Sequence, residues 1–320
     1  MNQKYSIGID LGATKIRVAL GTDDGKIVRS REEFTEKRFG PKGLINQTLR
    51  LIHDILRNVE IKEVCGVGIG SIGPIDVRKG VIIEAANLPF APVPLVEPIK
   101  AEYNLPVYIL NDCNTAVHGE KIFGAGKEVE NIVYVTISTG IGGGAYVDNN
   151  LLIGKDGNAA EVGHMTIDYT GFMQCGCGKR GHWEAYCSGA NIPRYTRRLY
   201  EGQDLSNSLL VKYGGIDLAS LTAKGVFEAA RKGDKYATNV VEKVGQLNAI
   251  GFANIVNVYD PSIITVGGSV ALNNPTEILT PIRKYITNYA VNRIPEIILT
   301  PLGADVVLLG AIALPFYPPK

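Results

Sequence analysis

The chain lacks charge of either sign in excess, long apolar runs and, with a single residue, almost all tryptophan. Its 33 Lys and Arg are matched by 32 Asp and Glu, leaving a net charge of +1. A balance this even supplies no field to gather nucleic acid or an anionic membrane surface. No run reaches the ~18 consecutive apolar residues of a membrane span. The opening MNQKYSIGIDLG has no charged stretch followed by an apolar run, so no signal peptide is expected and the expected location is cytoplasmic. Cysteine is scarce and odd in number, at five residues. In a chain read as intracellular, that argues against a disulfide framework and for metal binding or plain burial. No Gly-x-x-x-x-Gly-Lys-Ser/Thr sequence occurs, which excludes a P-loop.

What remains is ordinary globular composition, 45% hydrophobic and 20% charged, over a length that suits one large domain or two. YSIGIDLGATKIRVALGTDDGKIV reads as strand, glycine turn, strand, Asp-Gly turn, strand. Leu44, Thr48, Leu51, Ile52, Ile55 and Val59 then share one helical stripe. VCGVGIG and LPVYILND read as buried strands, and NTAVHGEKIF as the start of a helix. NIVYVTISTGIGGGAYVDNNLLIG repeats the layout of the N-terminus. Beyond it, two helices are expected to break around residues 232–234, the second stopping before Pro261. A strand and glycine turn in SIITVGGSVA, a helix in TEILTPIRKYITNYAV and a last helix in VVLLGAIALPF complete the chain. This order predicts an α/β protein. The repeat places a division near residue 115, giving domains 1–115 and 116–303, with the helix at about 304–316 returning to the first.

Gly68-x-Gly70-x-x-Gly73 is formally a dinucleotide fingerprint. The residues that follow, PIDVRKG, read as extended chain, and a pyrophosphate site needs a helix there. The turns DLGATK and STGIGGG are different, because each joins two strands. Gly12 and Gly140 would let phosphate oxygens approach the backbone, and Thr14 and Thr139 would each add a hydroxyl. Asp10 ends its strand where a carboxylate can hold magnesium directly or through water. Either turn alone is equally an ordinary hairpin. Asp112 ends an apolar strand, where a carboxylate can serve phosphoryl transfer as a base. The same Asn111-Asp112 pair also fits a helix cap. In CGCGKRGHWEAYC, the spacing Cys-x-Cys-x-x-x-x-His suits a metal site or a glycine-rich turn. A Cys-x-Cys disulfide would close a strained small ring.

In the order IGIDLGATK, LNDCNTA, TISTGIGGG, LLIGKDGNAAEVGHM, CGCGKRGHWE and ITVGGSV, the chain resembles the ROK family of sugar kinases and repressors, within the sugar kinase/actin/Hsp70 superfamily. The resemblance runs from residue 5 to about 270, with glucokinase-like hexokinases nearest by motif. It implies a two-domain actin-like ATPase (ribonuclease H-like) fold with an interdomain cleft, and ATP-dependent phosphorylation of a hexose at its 6-hydroxyl. Mg-ATP would lie on Asp10, Gly12, Thr14, Lys15, Thr139 and Gly140, with adenosine near Gly267 and Gly268. Asp112 would be the base. Asn87, Asn111, Asp112, Glu161, His164 and Glu184 would hold the sugar. A structural zinc would lie on His164, Cys175, Cys177 and His182, with His182 standing where the family usually has a third cysteine. Ala159-Ala160-Glu161 replaces the usual Ala-Gly-Glu, a change at the sugar pocket. The resemblance also implies a homodimer. Its alternatives are another substrate (N-acetylmannosamine, fructose or allose) or a sugar-sensing repressor. Such repressors carry a DNA-binding segment ahead of this fold, which a first strand starting near Tyr5 leaves no room for.

Overall fold

The computed structural model describes residues 4–84 and 88–319. The first sheet begins with a meander of β1 (Tyr5–Leu11), β2 (Lys15–Gly21) and β3 (Ile27–Phe34). Helix α1 (Gly40–Ile55) buries Leu44, Thr48, Leu51, Ile52 and Ile55, the expected stripe apart from Val59, which lies past its end. Strand β4 (Val64–Ser71) leads into short strands β5 (Ile75–Asp76), β6 (Val81–Ile82) and β7 (Val93–Pro94), then α2 (Val96–Tyr103), β8 (Val107–Asn111) and α3 (Asp112–Ile122). A second meander follows as β9 (Ile132–Ile137), β10 (Ile141–Val147) and β11 (Asn150–Leu151). Helices α4 (Glu184–Cys187), α5 (Ile192–Leu199), α6 (Leu209–Gly214), α7 (Ala223–Arg231) and α8 (Lys235–Tyr259) come next. The chain closes with β12 (Ile263–Gly267), α9 (Ser269–Asn273), α10 (Pro275–Tyr285), β13 (Glu296–Leu299) and α11 (Val306–Phe316). The break between α7 and α8 falls where the sequence puts it. Asp234 caps α8 by accepting from the amides of Tyr236 and Ala237.

The two large sheets share one strand order, β3-β2-β1-β4-β8 and β11-β10-β9-β12-β13. The repeat therefore extends beyond the two meanders to the strands added beside them, β4 and β8 in one sheet and β12 and β13 in the other. The chain divides into two compact units. One comprises residues 1–134, 144–160 and 300–320; the other comprises 135–143 and 161–299. A boundary at residue 115 would cut α3, and packing explains why α3 belongs with the first unit. Its partner is α11, whose Gly310 lies so close that a Cβ there would sit 1.8 Å from the Thr115 carbonyl oxygen. The same helix explains the false fingerprint in β4. A Cβ on Gly68 would meet the Ala311 carbonyl oxygen at 2.0 Å, so this glycine admits a helix backbone rather than a pyrophosphate.

Candidate active site

In the first unit, β1, β4 and β8 run parallel, with Leu11, Ser71 and Asn111 in register. Their carboxyl ends form one edge, where open α/β sheets bind ligands. Two strand spacings, about 10 Å, separate β1 from β8 along it. Asn111 is the N-cap of α3, its Oδ1 accepting from the Asn114 amide at 2.6 Å. Asp112 occupies the first helical turn, its Oδ1 accepting from the Cys113 amide at 2.8 Å. The cap reading thus holds for Asn111, and Asp112 sits at the positive end of the helix dipole.

The Asp10–Lys15 turn closes through the Gly12 amide on the Lys15 carbonyl, 2.9 Å. Thr35 steadies it, donating its hydroxyl to the Gly12 carbonyl at 2.7 Å and its amide to that of Thr14 at 2.9 Å. Lys15 pairs with Glu32 across the strands. The Asp10 carboxylate is not open on all sides. Arg17 donates to its Oδ2 from Nε at 3.1 Å and Nη2 at 2.8 Å, and reaches Asp305 Oδ1 from Nη1 at 2.6 Å. Burial raises the Asp10 pKa, with Arg17 opposing it. A magnesium ion at Asp10 would be reached through Oδ1 or a water molecule. The sequence reading missed Arg17, although the signal was present: a turn closed at Gly12 and Lys15 sets Asp10 directly across from Arg17.

In the second unit, the turn between β9 and β10 is held by the segment after α4. Gly189 donates to the Ser138 carbonyl at 2.7 Å and Ala190 to that of Thr139 at 3.2 Å. The Ile141 amide donates to Glu184 Oε2 at 2.9 Å. A Cβ on Gly140 would lie 2.5 Å from that same oxygen, so the group pressing on Gly140 is the Glu184 carboxylate. Gly267 ends β12, and Ser269, just past Gly268, reaches Ser138 with hydroxyl oxygens 3.1 Å apart.

His164, Cys175, Cys177 and His182 converge, one ligand atom from each lying within 4.8 Å of all the others. Cys175 Sγ is 3.8 Å from His164 Nδ1, and Cys177 Sγ is 3.3 Å from His182 Nδ1. Tetrahedral zinc with bonds near 2.2 Å needs ligand–ligand edges of about 3.6 Å; the donor set fits such an ion in chemistry, and these two Cys–His pairs bracket that edge. The Cys175 amide bonds the Lys179 carbonyl at 2.8 Å, folding the intervening residues into a tight knuckle. Burial pushes the Cys175 thiol up to about 11, so a bound cation would have to displace its proton. None of the five cysteines is in a disulfide. The other nitrogen of His164, Nε2, faces Glu161 Oε2 at 3.9 Å. Glu161 precedes a single 3₁₀ turn, Val162–His164, and burial raises its pKa. Trp183, fully buried, anchors the knuckle through Nε1 to Asn248 Oδ1 at 2.8 Å. Asn87 lies outside the described residues.

Two sheets of identical strand order, each carrying a Gly/Thr hairpin turn, define the actin-like class of ATPase fold. The chain belongs to the ROK family, whose family profile matches residues 6–315. It is 37% identical over 318 residues to a glucokinase of Pyrobaculum calidifontis, covering 99% of this chain and 96% of that one. It is 35% identical to a glucokinase of Thermotoga maritima, covering 96% of each. The crystal structure of a ROK family glucokinase from Streptomyces griseus, in complex with glucose and AMPPNP, matches with a TM-score of 0.79. That match is at 30% identity and covers 97% of this chain and 98% of that one.

Proposed function

We propose that the protein is an ATP-dependent hexose kinase that transfers the γ-phosphoryl group of ATP to the 6-hydroxyl of glucose. The observation that carries the chemistry is Asp112, on the same carboxyl edge of the first sheet as the Asp10–Lys15 turn. Glucokinase relatives matching nearly the whole chain support the substrate. Phosphoryl transfer asks for position, charge neutralisation and a base. Asp112 takes the proton of the 6-hydroxyl as that oxygen bonds to the γ-phosphorus, and the bond to the β–γ bridging oxygen breaks to release ADP. The amides and hydroxyls of Gly12, Thr14, Thr139 and Gly140 serve the phosphates, with Lys15 beside them, and adenosine lies near Gly267 and Gly268. Asp10 serves magnesium through the oxygen that Arg17 leaves free.

The sugar is assigned to Asn87, Asn111, Asp112, Glu161, His164 and Glu184. A hexose presents hydroxyls that both donate and accept, and this set supplies matching acceptors and donors. Zinc is assigned to His164, Cys175, Cys177 and His182. Four protein ligands leave no open position, so its role is structural, fixing the ring of His164 for a sugar hydroxyl. A homodimer, which the resemblance implies, is tested by sedimentation.

The test is ADP release with a panel of glucose, N-acetylmannosamine, fructose and allose. Glucose is expected to give the highest kcat/KM; preference for another sugar would move the substrate assignment and leave the kinase chemistry standing.

A further inference from the structure

Glu184 touches more than a sugar ligand needs to. One carboxylate oxygen, Oε2, accepts from the Ile141 amide at 2.9 Å and would have to shift to admit a Cβ on Gly140, which would lie 2.5 Å from it. Among the described residues the other, Oε1, has only a long thiol contact, Cys175 Sγ at 3.7 Å, and so keeps acceptor capacity. The backbone of Glu184 is fixed as well. It opens α4 directly after the buried Trp183, and its carbonyl accepts from Asn191 Nδ2 at 3.0 Å. Gly189 and Ala190, which follow the C-cap Ser188, bond to the other side of the same turn. The Thr139–Gly140 turn is therefore clamped between a main-chain pair and one carboxylate.

We propose that Glu184 is a positioning residue for the nucleotide turn as well as a sugar ligand, so that one side chain couples hexose binding to ATP binding. The inference rests on the kinase reading above. Its logic is a division of labour between two oxygens of one rigid group. Oε2 sets the Ile141 amide, and with it the Gly140 backbone that faces the phosphates. Oε1 accepts a hydroxyl of the sugar. A hexose that orders the carboxylate orders the turn, and a nucleotide that orders the turn presents Oε1 to the hexose. Such coupling is reciprocal in binding free energy.

The experiment is calorimetric titration of Mg-AMPPNP with and without glucose, on the metal-loaded protein and its variants. Glu184→Ala is expected to weaken nucleotide binding about tenfold with no sugar present, the effect of losing one hydrogen bond to a charged group, and to abolish any enhancement by glucose. Glu184→Gln keeps an acceptor for the Ile141 amide and is expected to restore nucleotide affinity while glucose binding stays weak. Gly140→Ala replaces no sugar ligand but crowds the Glu184 carboxylate, so it is expected to weaken glucose and nucleotide binding together. It should reproduce the nucleotide loss; where Glu184→Ala fails to fold or loses metal, Glu184→Gln, which keeps an acceptor for the Ile141 amide, separates loss of that bond from crowding of the phosphate turn itself. Wild-type nucleotide affinity in Glu184→Ala or Gly140→Ala would overturn the proposal. A wild-type protein that binds no AMPPNP would instead overturn the kinase reading itself.

Discussion

The candidate site residues divide by how they announce themselves. Asp112, Cys175, Cys177 and His182 stand in motifs that pattern brings forward, and the resemblance adds His164 to the proposed metal set and the role of base to Asp112. Arg17 stands in an apolar strand and is legible only once the register of the first hairpin is drawn, with Asp10 opposite it. The resemblance nominates Glu184 as a sugar ligand, but nothing in the sequence shows its bond to Ile141. That contact joins segments 43 residues apart, and no local spacing encodes it. His118 shows a further residue-scale effect. It is buried on α3 with Nδ1 2.7 Å from the Tyr146 hydroxyl, and burial lowers its pKa from 6.5 to about 4. Because the unfolded chain binds this proton more readily, the contribution to stability is complete above pH 6.5 and is lost as pH falls towards 4. One group over that span accounts for about 3 kcal/mol. Glu120, buried on the same helix with its pKa raised, works in the opposite sense. Chemical denaturation between pH 4 and 7 should therefore show a shallower loss of stability in His118→Gln than in wild type.

At the scale of elements, the long and strongly patterned ones were visible: the two meanders, α1, the α7–α8 break and α11. The short ones were not. Strands β5, β6 and β7 have two residues each, and α4 has four, too few for any periodicity to register. The packing of α11 on α3 was hidden for another reason, since it depends on an absent side chain. Gly310→Ala would push a methyl into the Thr115 carbonyl, which cannot yield as a side-chain tip would. The expected cost is about 3 kcal/mol, read as a lowered Tm. A reduced kcat should accompany it, because α3 begins at Asp112. The metal knuckle gives a second element-scale prediction. Metal analysis should find about one zinc per chain. His182→Ala should lose it and weaken glucose binding more than nucleotide binding, because in the proposed site a zinc would steady His164. Full zinc retention in that variant would remove His182 from the ligand set.

At the scale of the whole molecule, the sequence showed a repeat of three strands and the structure shows five, in the same order twice. The added strands escaped notice because unlike insertions precede them: α1 before β4 in one sheet, and the knuckle with five helices before β12 in the other. Symmetry of fold survived where symmetry of sequence did not. Among the described residues no helix is long and apolar enough to cross a membrane. ROK membership rests on a match across residues 6–315. The most direct test is glucose-dependent ADP formation by the purified protein beside Asp112→Asn, a substitution that keeps shape and removes the base. The account predicts robust turnover in wild type and a fall in kcat of about 10²–10⁴ in a folded, glucose-binding variant. Wild-type turnover in Asp112→Asn, or no glucose-dependent ADP from the intact protein, would contradict it.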